Sequence, residues 1–262
     1  MRGVPALALE ARRLVEAIQD ETTPARAGPI VVGGMLCEQL ARELGTGAEP
    51  GAVLSDSNAR LVSAEVLVHV MAAEPSPADE AVVRSADRAG VPVVLVQLWP
   101  QEEWTPPFVL TPFVVECRAG AGFPVEEIAR RIADAAENVS DLARRVPVLH
   151  EVVSEKLVGT SVVRAALLGA LGTRKSASRP LLTLEQVRIA SRLRSLERGG
   201  GAEELPVAAG AAVAALVLSF AFREAARSVG RRLPGPLVNA AVAAATTWAV
   251  AEAVRRFERA GA

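Results

Sequence analysis

Tyrosine is absent from the 262 residues, aromatic side chains make up only 3% of them, and no lysine precedes Lys156. The first two shortages leave Val, Leu, Ile and Ala to build the cores. They also remove the rings on which single-stranded nucleic acids stack, so no nucleic-acid partner is expected. The lack of lysine deprives the first half of the side chain that grips phosphates in nucleotide-binding α/β domains. Histidine occurs twice, as His69 and His150, and cysteine twice, as Cys37 and Cys117, far apart and without metal-ligand spacing. Such sparse thiols suit a reducing cytosol and read as buried free cysteines rather than a redox pair. No Ser/His/Asp or Cys/His set can be assembled, so neither a catalytic residue, a metal nor a cofactor is expected.

What is present is an ordered, apolar chain. Half of the residues are hydrophobic and 23% are charged, enough for two domains with real cores. The near-neutral total hides a division: residues 1–150 carry 13 Arg against 21 Asp and Glu, a balance of −8, whereas 151–262 carry 16 Lys and Arg against 9 Glu, a balance of +7. Near the start, Leu7, Leu14, Val15 and Ile18 sit at helical spacing, interrupted by Glu10, Arg12 and Arg13. That pattern predicts an amphipathic helix and connector over 1–28, not a secretory signal.

Strand and helix signals then alternate. Pro29 to Val32 reads as a strand ending in a Gly33-Gly34 turn, and Leu36 to Leu44 as a helix with Leu36, Leu40 and Leu44 on one face. Glu65 to Met71 is a strand in which His69 is an interior residue. Pro77 to Ala89 is a helix with proline in its first turn and Asp79 and Glu80 near its positive end. Pro92 to Leu98 is a nearly unbroken apolar run, as in a parallel strand buried on both faces. Phe113 to Cys117 is a further strand, and Pro124 to Arg145 one long helix carrying Ile128, Ile132 and Leu142. The predicted fold class for 29–146 is therefore α/β, a doubly wound, mostly parallel sheet with its ligand crevice at the carboxyl ends of the strands.

The loops at that rim lack nucleotide chemistry. A phosphate-binding loop needs a long glycine-bounded turn, a Lys and a Ser/Thr, whereas Gly33-Gly34-Met35-Leu36-Cys37 supplies none of those side chains and leaves Gly33 and Gly34 as weak anion-site candidates. After the third predicted strand, Gln97-Leu98-Trp99-Pro100 stands where a base-reading Asn-Lys-x-Asp would be, and Glu74 is the single acidic candidate at its strand end. Trp99 and Trp104, beside Gln101, Glu102, Glu103 and the rigid Thr105-Pro106-Pro107 step, are the candidate anchors for a protein partner.

On these residues, 64–100 and 115–128 resemble an Era-like GTPase domain, with Cys117-Arg118-Ala119-Gly120-Ala121-Gly122-Phe123 in the position of a Ser-Ala-Lys loop. The resemblance implies the fold. It does not bring GTP hydrolysis, because all four nucleotide motifs are substituted. A flavodoxin-like domain would give a similar pattern.

From Pro147 the composition turns helical, and 147–262 is read as a helical domain. Glu151 to Gly172 presents Val158, Val162, Val163, Leu167 and Leu171. Gly172 to Pro180 is a basic loop. Thr183 and Gln186 form a capping box before Val187, Ile189, Leu193 and Leu196, and Gly199-Gly200-Gly201 ends that helix. Two uncharged segments follow, Leu205 to Phe222 and Leu233 to Ala251, predicted to form a hairpin. Each approaches the roughly 18 to 20 residues that span a bilayer, though both are rich in alanine. Small residues four apart, Gly210 with Ala214 and Ala240 with Ala244, allow close helix approach. Arg223, Arg227, Arg231 and Arg232 in the link, and Arg255, Arg256 and Arg259 beyond it, suit anionic headgroups.

Leu181 to Phe257 resembles the helical domain of unknown function that follows GTPase domains in bacterial Era-like proteins and also occurs in inner-membrane proteins. The shared features are Leu182-Thr183-Leu184-Glu185-Gln186, Leu233-Pro234-Gly235-Pro236 and Thr246-Thr247. The resemblance implies association with membranes or proteins. The expectation is a non-catalytic cytoplasmic scaffold attached to the inner membrane surface, through its hairpin or its basic link, or to a protein partner or second copy. The alternatives are a residual nucleotide-binding enzyme whose cation comes from Arg118, Arg42 or another subunit, and a soluble regulatory module.

Overall fold

A computed structural model of the chain describes residues 26–55, 61–72, 76–100, 113–118, 120–171, 178–198 and 235–261. The chain divides into two compact units, one over Pro24–Val153 and the other including Ser154–Ala262.

The first unit is mixed α/β. Five strands, β1 (Ile30–Gly34), β2 (Val53–Ser55), β3 (Val66–Met71), β4 (Val93–Leu98) and β5 (Val114–Cys117), form one sheet in the order β2-β1-β3-β4-β5. All four pairings are parallel, with Gly34 opposite Val70, Met71 opposite Gln97 and Leu98 opposite Cys117. Parallel strands covered on both faces require apolar side chains at every position. The Val-Leu-Val-His-Val-Met of β3 is accordingly buried throughout.

Four helices accompany the sheet: α1 (Cys37–Leu44), α2 (Pro77–Arg88), α3 (Val125–Ala135) and α4 (Val139–Arg145). Helix α2 covers one face, where Val83 packs with Met71 and Leu95, and Ala86 with Val31, Leu67 and Val91. It starts in a capping box that sequence reading passed over: the Ser76 hydroxyl accepts from Asp79 N–H while the Asp79 carboxylate accepts from Ser76 N–H. Helices α1 and α3 bury Leu40, Leu44, Ile128 and Ile132.

Several expectations are corrected. The glycine pair is not the turn after the first strand; both glycines belong to β1, and the chain turns at Met35-Leu36. Leu36 is not on the buried face of α1 but is its exposed, left-handed N-cap. The helix expected over Pro124 to Arg145 is broken at Ala136–Asn138, because the Glu65 carboxylate accepts from Asn138 N–H at 2.7 Å and from Gly28 N–H at 3.2 Å. Edge strand β2 was not foreseen.

Among the described residues, the second unit contains most of α5 (Pro147–Leu171), together with α6 (Ser178–Arg198) and α7 (Gly235–Gly261). Helix α5 opens on Pro147, earlier than the expected Glu151, since a first-turn proline has no N–H to lose. Helix α6 likewise opens at Ser178 with Pro180 in its first turn, so Thr183 lies inside the helix rather than capping it. The amide of Gln186 instead donates to Thr246 Oγ1 on α7 at 3.2 Å, both side chains being buried.

Two contacts fix how these helices run. Ser154 Oγ accepts from Arg255 Nε at 2.8 Å, and a Cβ on Gly169 would meet the Asn239 carbonyl at 2.6 Å, so α5 and α7 are antiparallel. Gln186 with Thr246 and Ala190 with Val250 make α6 and α7 parallel. Residues 1–25, Glu74, Trp104, the first hairpin segment and Arg223, Arg227, Arg231 and Arg232 lie outside the described residues.

Candidate functional site

In a doubly wound sheet the ligand crevice lies beyond the carboxyl ends of the strands, where the strand order reverses. Here that point falls between β1 and β3. The residues ending the strands there are Gly34 and Met71.

The backbone at Gly34 explains the glycine without any ligand. Its φ is +86°, and a Cβ would stand 1.9 Å from the Val70 carbonyl oxygen, so only glycine fits beside β3. The same carbonyl oxygen accepts from Met35 N–H at 2.9 Å, removing that group from service to an anion. A two-residue step, Met35-Leu36, then leads directly into α1. This connection is too short to wrap a polyphosphate, and the side chains it presents are apolar and about half exposed, Met35 at 46% and Leu36 at 51%. The residues present do not fit a nucleoside triphosphate.

Two further strand ends contribute to the rim. Trp99 follows β4, is 51% exposed, and donates its N–H to the Cys117 carbonyl at 2.9 Å. Among the described residues, Leu36 and Trp99 are the two non-glycine residues with positive φ, both at +53°. A bulky side chain in the left-handed region costs about 1–3 kcal/mol, and both of these belong to the same edge of the sheet. Arg118 is exposed just after β5. Cys117 is buried, with Sγ 3.0 Å from the Gly122 carbonyl. Burial pushes its thiol pKa up, and the Glu43 carboxylate adds to the rise, which opposes thiolate chemistry. Cys37 is half-buried rather than fully buried.

Beneath the rim, the buried His69 places Nε2 2.7 Å from Asp79 Oδ1, and Ser76 Oγ lies 2.7 Å from Asp79 Oδ2. Burial pushes the Asp79 carboxyl upward, but hydrogen bonds from the Ser76 hydroxyl and N–H, together with His69, outweigh it and hold the pKa below its ordinary value. An ionised carboxylate only accepts, so Nε2 carries the imidazole proton. Nδ1 is buried without a hydrogen-bond partner. The Ser76-Asp79-His69 order is not that of a nucleophile chain: the serine hydroxyl donates to the carboxylate, and the imidazole meets the carboxylate instead of the hydroxyl. The arrangement locks α2 to β3. Sequence reading placed His69 in the interior but gave it no partner, because the α2 register that brings Asp79 to it is set by packing.

A separate cavity of about 520 Å³ flanks β2, lined by Glu38, Arg42, Glu49, Pro50, Gly51 and Ser55. Its two carboxylates outnumber the single guanidinium, whose Nε is engaged by the Glu38 carbonyl. Arg42 is therefore a poor substitute for the missing lysine. Among the described residues no group of three or more His, Cys, Asp and Glu side chains could hold a metal ion.

In the helical unit, α7 includes one segment, Pro236–Arg256, that is long and apolar enough to cross a membrane by length and composition, and 28% of that window is buried. Arg255 bonds Ser154 and Arg256 bonds Glu252. No protein-family model matches the chain, and no curated protein or solved structure is significantly similar to it.

Proposed function

We propose that the chain is a non-catalytic two-part interaction protein: a GTPase-like α/β scaffold that does not handle nucleotide, joined to a helical unit that attaches to the cytoplasmic face of a membrane. The observation supporting this reading is the Gly34-Met35-Leu36 connection. Where a nucleotide enzyme would present a wrapping loop, a lysine and a magnesium-binding hydroxyl, this rim presents two exposed apolar side chains and an N–H already bonded to Val70. The apolar Pro236–Arg256 segment supports the membrane half.

Two experiments test it. Calorimetry with GTP, GDP and ATP in the presence of magnesium is expected to give no heat at micromolar protein; magnesium-dependent micromolar binding would revive the residual nucleotide-binding alternative. Fractionation of cells is expected to recover the chain with membranes and to release it with salt, carbonate or detergent. Recovery wholly in the soluble fraction removes the membrane half of the reading.

A second reading, a soluble regulatory module, is favoured by the exposure of Trp99 beside Cys117. A ring held open at an energetic cost suits an anchor for a protein partner. In that reading Trp99→Ala abolishes partner capture and leaves the thermal midpoint within a few degrees of the parent.

A further inference from the structure

Among the described residues, the sheet ends on β2, which has a strand on one side only. Its register with β1, Ile30 opposite Val53 and Val32 opposite Ser55, fixes which backbone groups are left over. Ile30 N–H donates to the Ala52 carbonyl at 2.8 Å. Successive residues of a strand turn their N–H and C=O to opposite sides, so Leu54 serves β1 while Val53 and Ser55 turn theirs outward. Among the described residues, no hydrogen bond outside the sheet reaches those two N–H and two C=O groups. Ser55 is exposed and Val53 half-buried.

A bare edge of three residues is not by itself a site. The groove beside it is the second element. Val53 and Ser55 line the cavity of about 520 Å³ on one side, and Glu38, Ala41, Arg42 and Gly45 line it on the other. Those four residues of α1 and its C-cap are spaced as a single helical face that runs the length of the helix. Helix α1 returns from the end of β1 to the start of β2, so it is antiparallel to β2. A Cβ on Gly45 would stand 3.8 Å from the Val53 Cβ, and Glu38, about two turns away, lies toward the Ser55 end. Glu49 and Gly51, from the turn into β2, line the Val53 end. A groove between a helix and a free strand edge is a shape in which an extended peptide adds to a sheet, its backbone bonded to the edge and its alternate side chains in the groove.

We infer that the α1/β2 groove takes an extended segment of a protein partner, added to the sheet beside β2, with a lysine or arginine side chain directed into the groove. The inference is independent of the membrane reading above and concerns a surface apart from the rim. Backbone chemistry selects the form of the occupant, since two outward donors and two outward acceptors in alternation are matched by another extended backbone. Charge selects its side chain. Glu38 and Glu49 are both exposed, against a single Arg42 whose Nε already donates to the Glu38 carbonyl at 3.3 Å. Glu49 Oε2 is 3.5 Å from Arg145 Nε, but the Glu49 side chain is still 60% exposed. The surplus of carboxylate favours a cation and disfavours an acidic segment. The cavity also falls within the roughly 300–1,000 Å³ range of ligand sites.

The test uses the full chain and fluorescent, end-capped hexapeptide pools, each with Lys, Arg, Ala or Glu fixed at one position and the others randomised, read by polarisation. Expected are binding at least tenfold tighter for the Lys and Arg pools than for the Glu pools, and slowed hydrogen exchange at the Val53 and Ser55 amides. Val53→Pro removes one outward donor at the first residue of an edge strand, where proline is tolerated, and is expected to weaken binding at least tenfold with a thermal midpoint within a few degrees of the parent. N-methylation of alternate peptide amides reads the same bonds from the ligand's side, so the test stands even if that variant does not fold. Glu38→Gln with Glu49→Gln is expected to bring the ratio of Lys to Ala pools close to one. Absence of binding by every pool at millimolar peptide overturns the inference, as does binding that leaves the Val53 and Ser55 amides unprotected or that favours the Glu pools. A parent dimer that Val53→Pro converts to a monomer assigns the edge to a second copy and also overturns it.

Discussion

Gly34 lies so close to Val70 that a Cβ on the glycine would stand 1.9 Å from the neighbouring carbonyl oxygen, with the His69 ring 3.1 Å away. The glycine serves the β1–β3 seam, and its substitution separates a packing role from a binding one. Gly34→Ala is expected to destabilise the α/β unit by about 3 kcal/mol or more, combining overpacking with a positive φ. Gly120→Ala, also at positive φ but with nothing within 4 Å of its Cβ, is expected to lose only about 1 kcal/mol. Urea midpoints of the two variants check this, and equal losses would contradict it.

The His69–Asp79 lock carries a pH signature. Asp79 has a folded-state pKa below its ordinary value, so its stabilisation is present above the unfolded pKa near 4 and is lost as pH falls through the lower folded value. Asp79→Asn is expected to cost about 1–3 kcal/mol at pH 7, from the broken capping box and the weakened bond to buried His69. The variant should also lack part of the acid-side slope of the parent below about pH 4. Denaturation at pH 3 and pH 7 measures both, and parallel pH profiles for parent and variant would remove Asp79 as the cause.

Much of this architecture was legible in the sequence, and the failures share a cause. Strands β1, β3 and β4 announce themselves as apolar runs, β1 and β4 bounded by proline or glycine, and their positions hold to within a residue or two. Edge strand β2 is only Val-Leu-Ser, too short to carry a period. The break between α3 and α4 is hidden because Ile128, Ile132 and Leu142 continue a helical face across it; what decides it is Glu65, 73 residues away from Asn138. The Thr183–Gln186 spacing suggested a cap, whereas Gln186 is used by α7. At the rim the missing lysine was plain from composition. The left-handed backbone of Leu36 and Trp99 was not, since no local preference puts a large side chain there.

Glu65 offers a third measurement. Its carboxylate serves Gly28 N–H, Asn138 N–H and the Asn138 amide, joining the start of β1 to the start of α4. Glu65→Ala is expected to cost about 2–3 kcal/mol, since two partly buried N–H groups lose a charged acceptor together. Glu65→Gln keeps an acceptor oxygen and should recover about half of that. Hydrogen exchange at the Asn138 and Gly28 amides locates the loss, and unchanged protection in Glu65→Ala would show that the carboxylate does not hold these elements.

The left-handed rim residues lead to a gain instead of a loss. Leu36 and Trp99 both sit at φ +53° with exposed side chains, so glycine relieves the backbone without opening a cavity. Leu36→Gly and Trp99→Gly are each expected to raise stability, by about 1 kcal/mol at most because the unfolded chain also gains freedom. A partner that docks on the rim would bind both variants more weakly. A fall in the denaturation midpoint of either variant would mean that its side chain supplies packing worth more than the strain.

Helix α5 contains two glycines whose substitution should act in opposite directions. Gly159 has nothing within 4 Å of its Cβ, so Gly159→Ala gains helix propensity and is expected to stabilise by about 0.5–1 kcal/mol. Gly169 gains the same propensity, but its Cβ would meet the Asn239 carbonyl at 2.6 Å and the Ala243 Cβ at 2.9 Å. Backbone cannot yield as a flexible side chain does, so α5 and α7 must separate, and the net expectation is a loss of about 1–2 kcal/mol. Parallel thermal and urea unfolding of the two variants compares them at the same chemistry, one methyl on one helix. Opposite signs support the close α5–α7 seam, and a stabilised Gly169→Ala would contradict it.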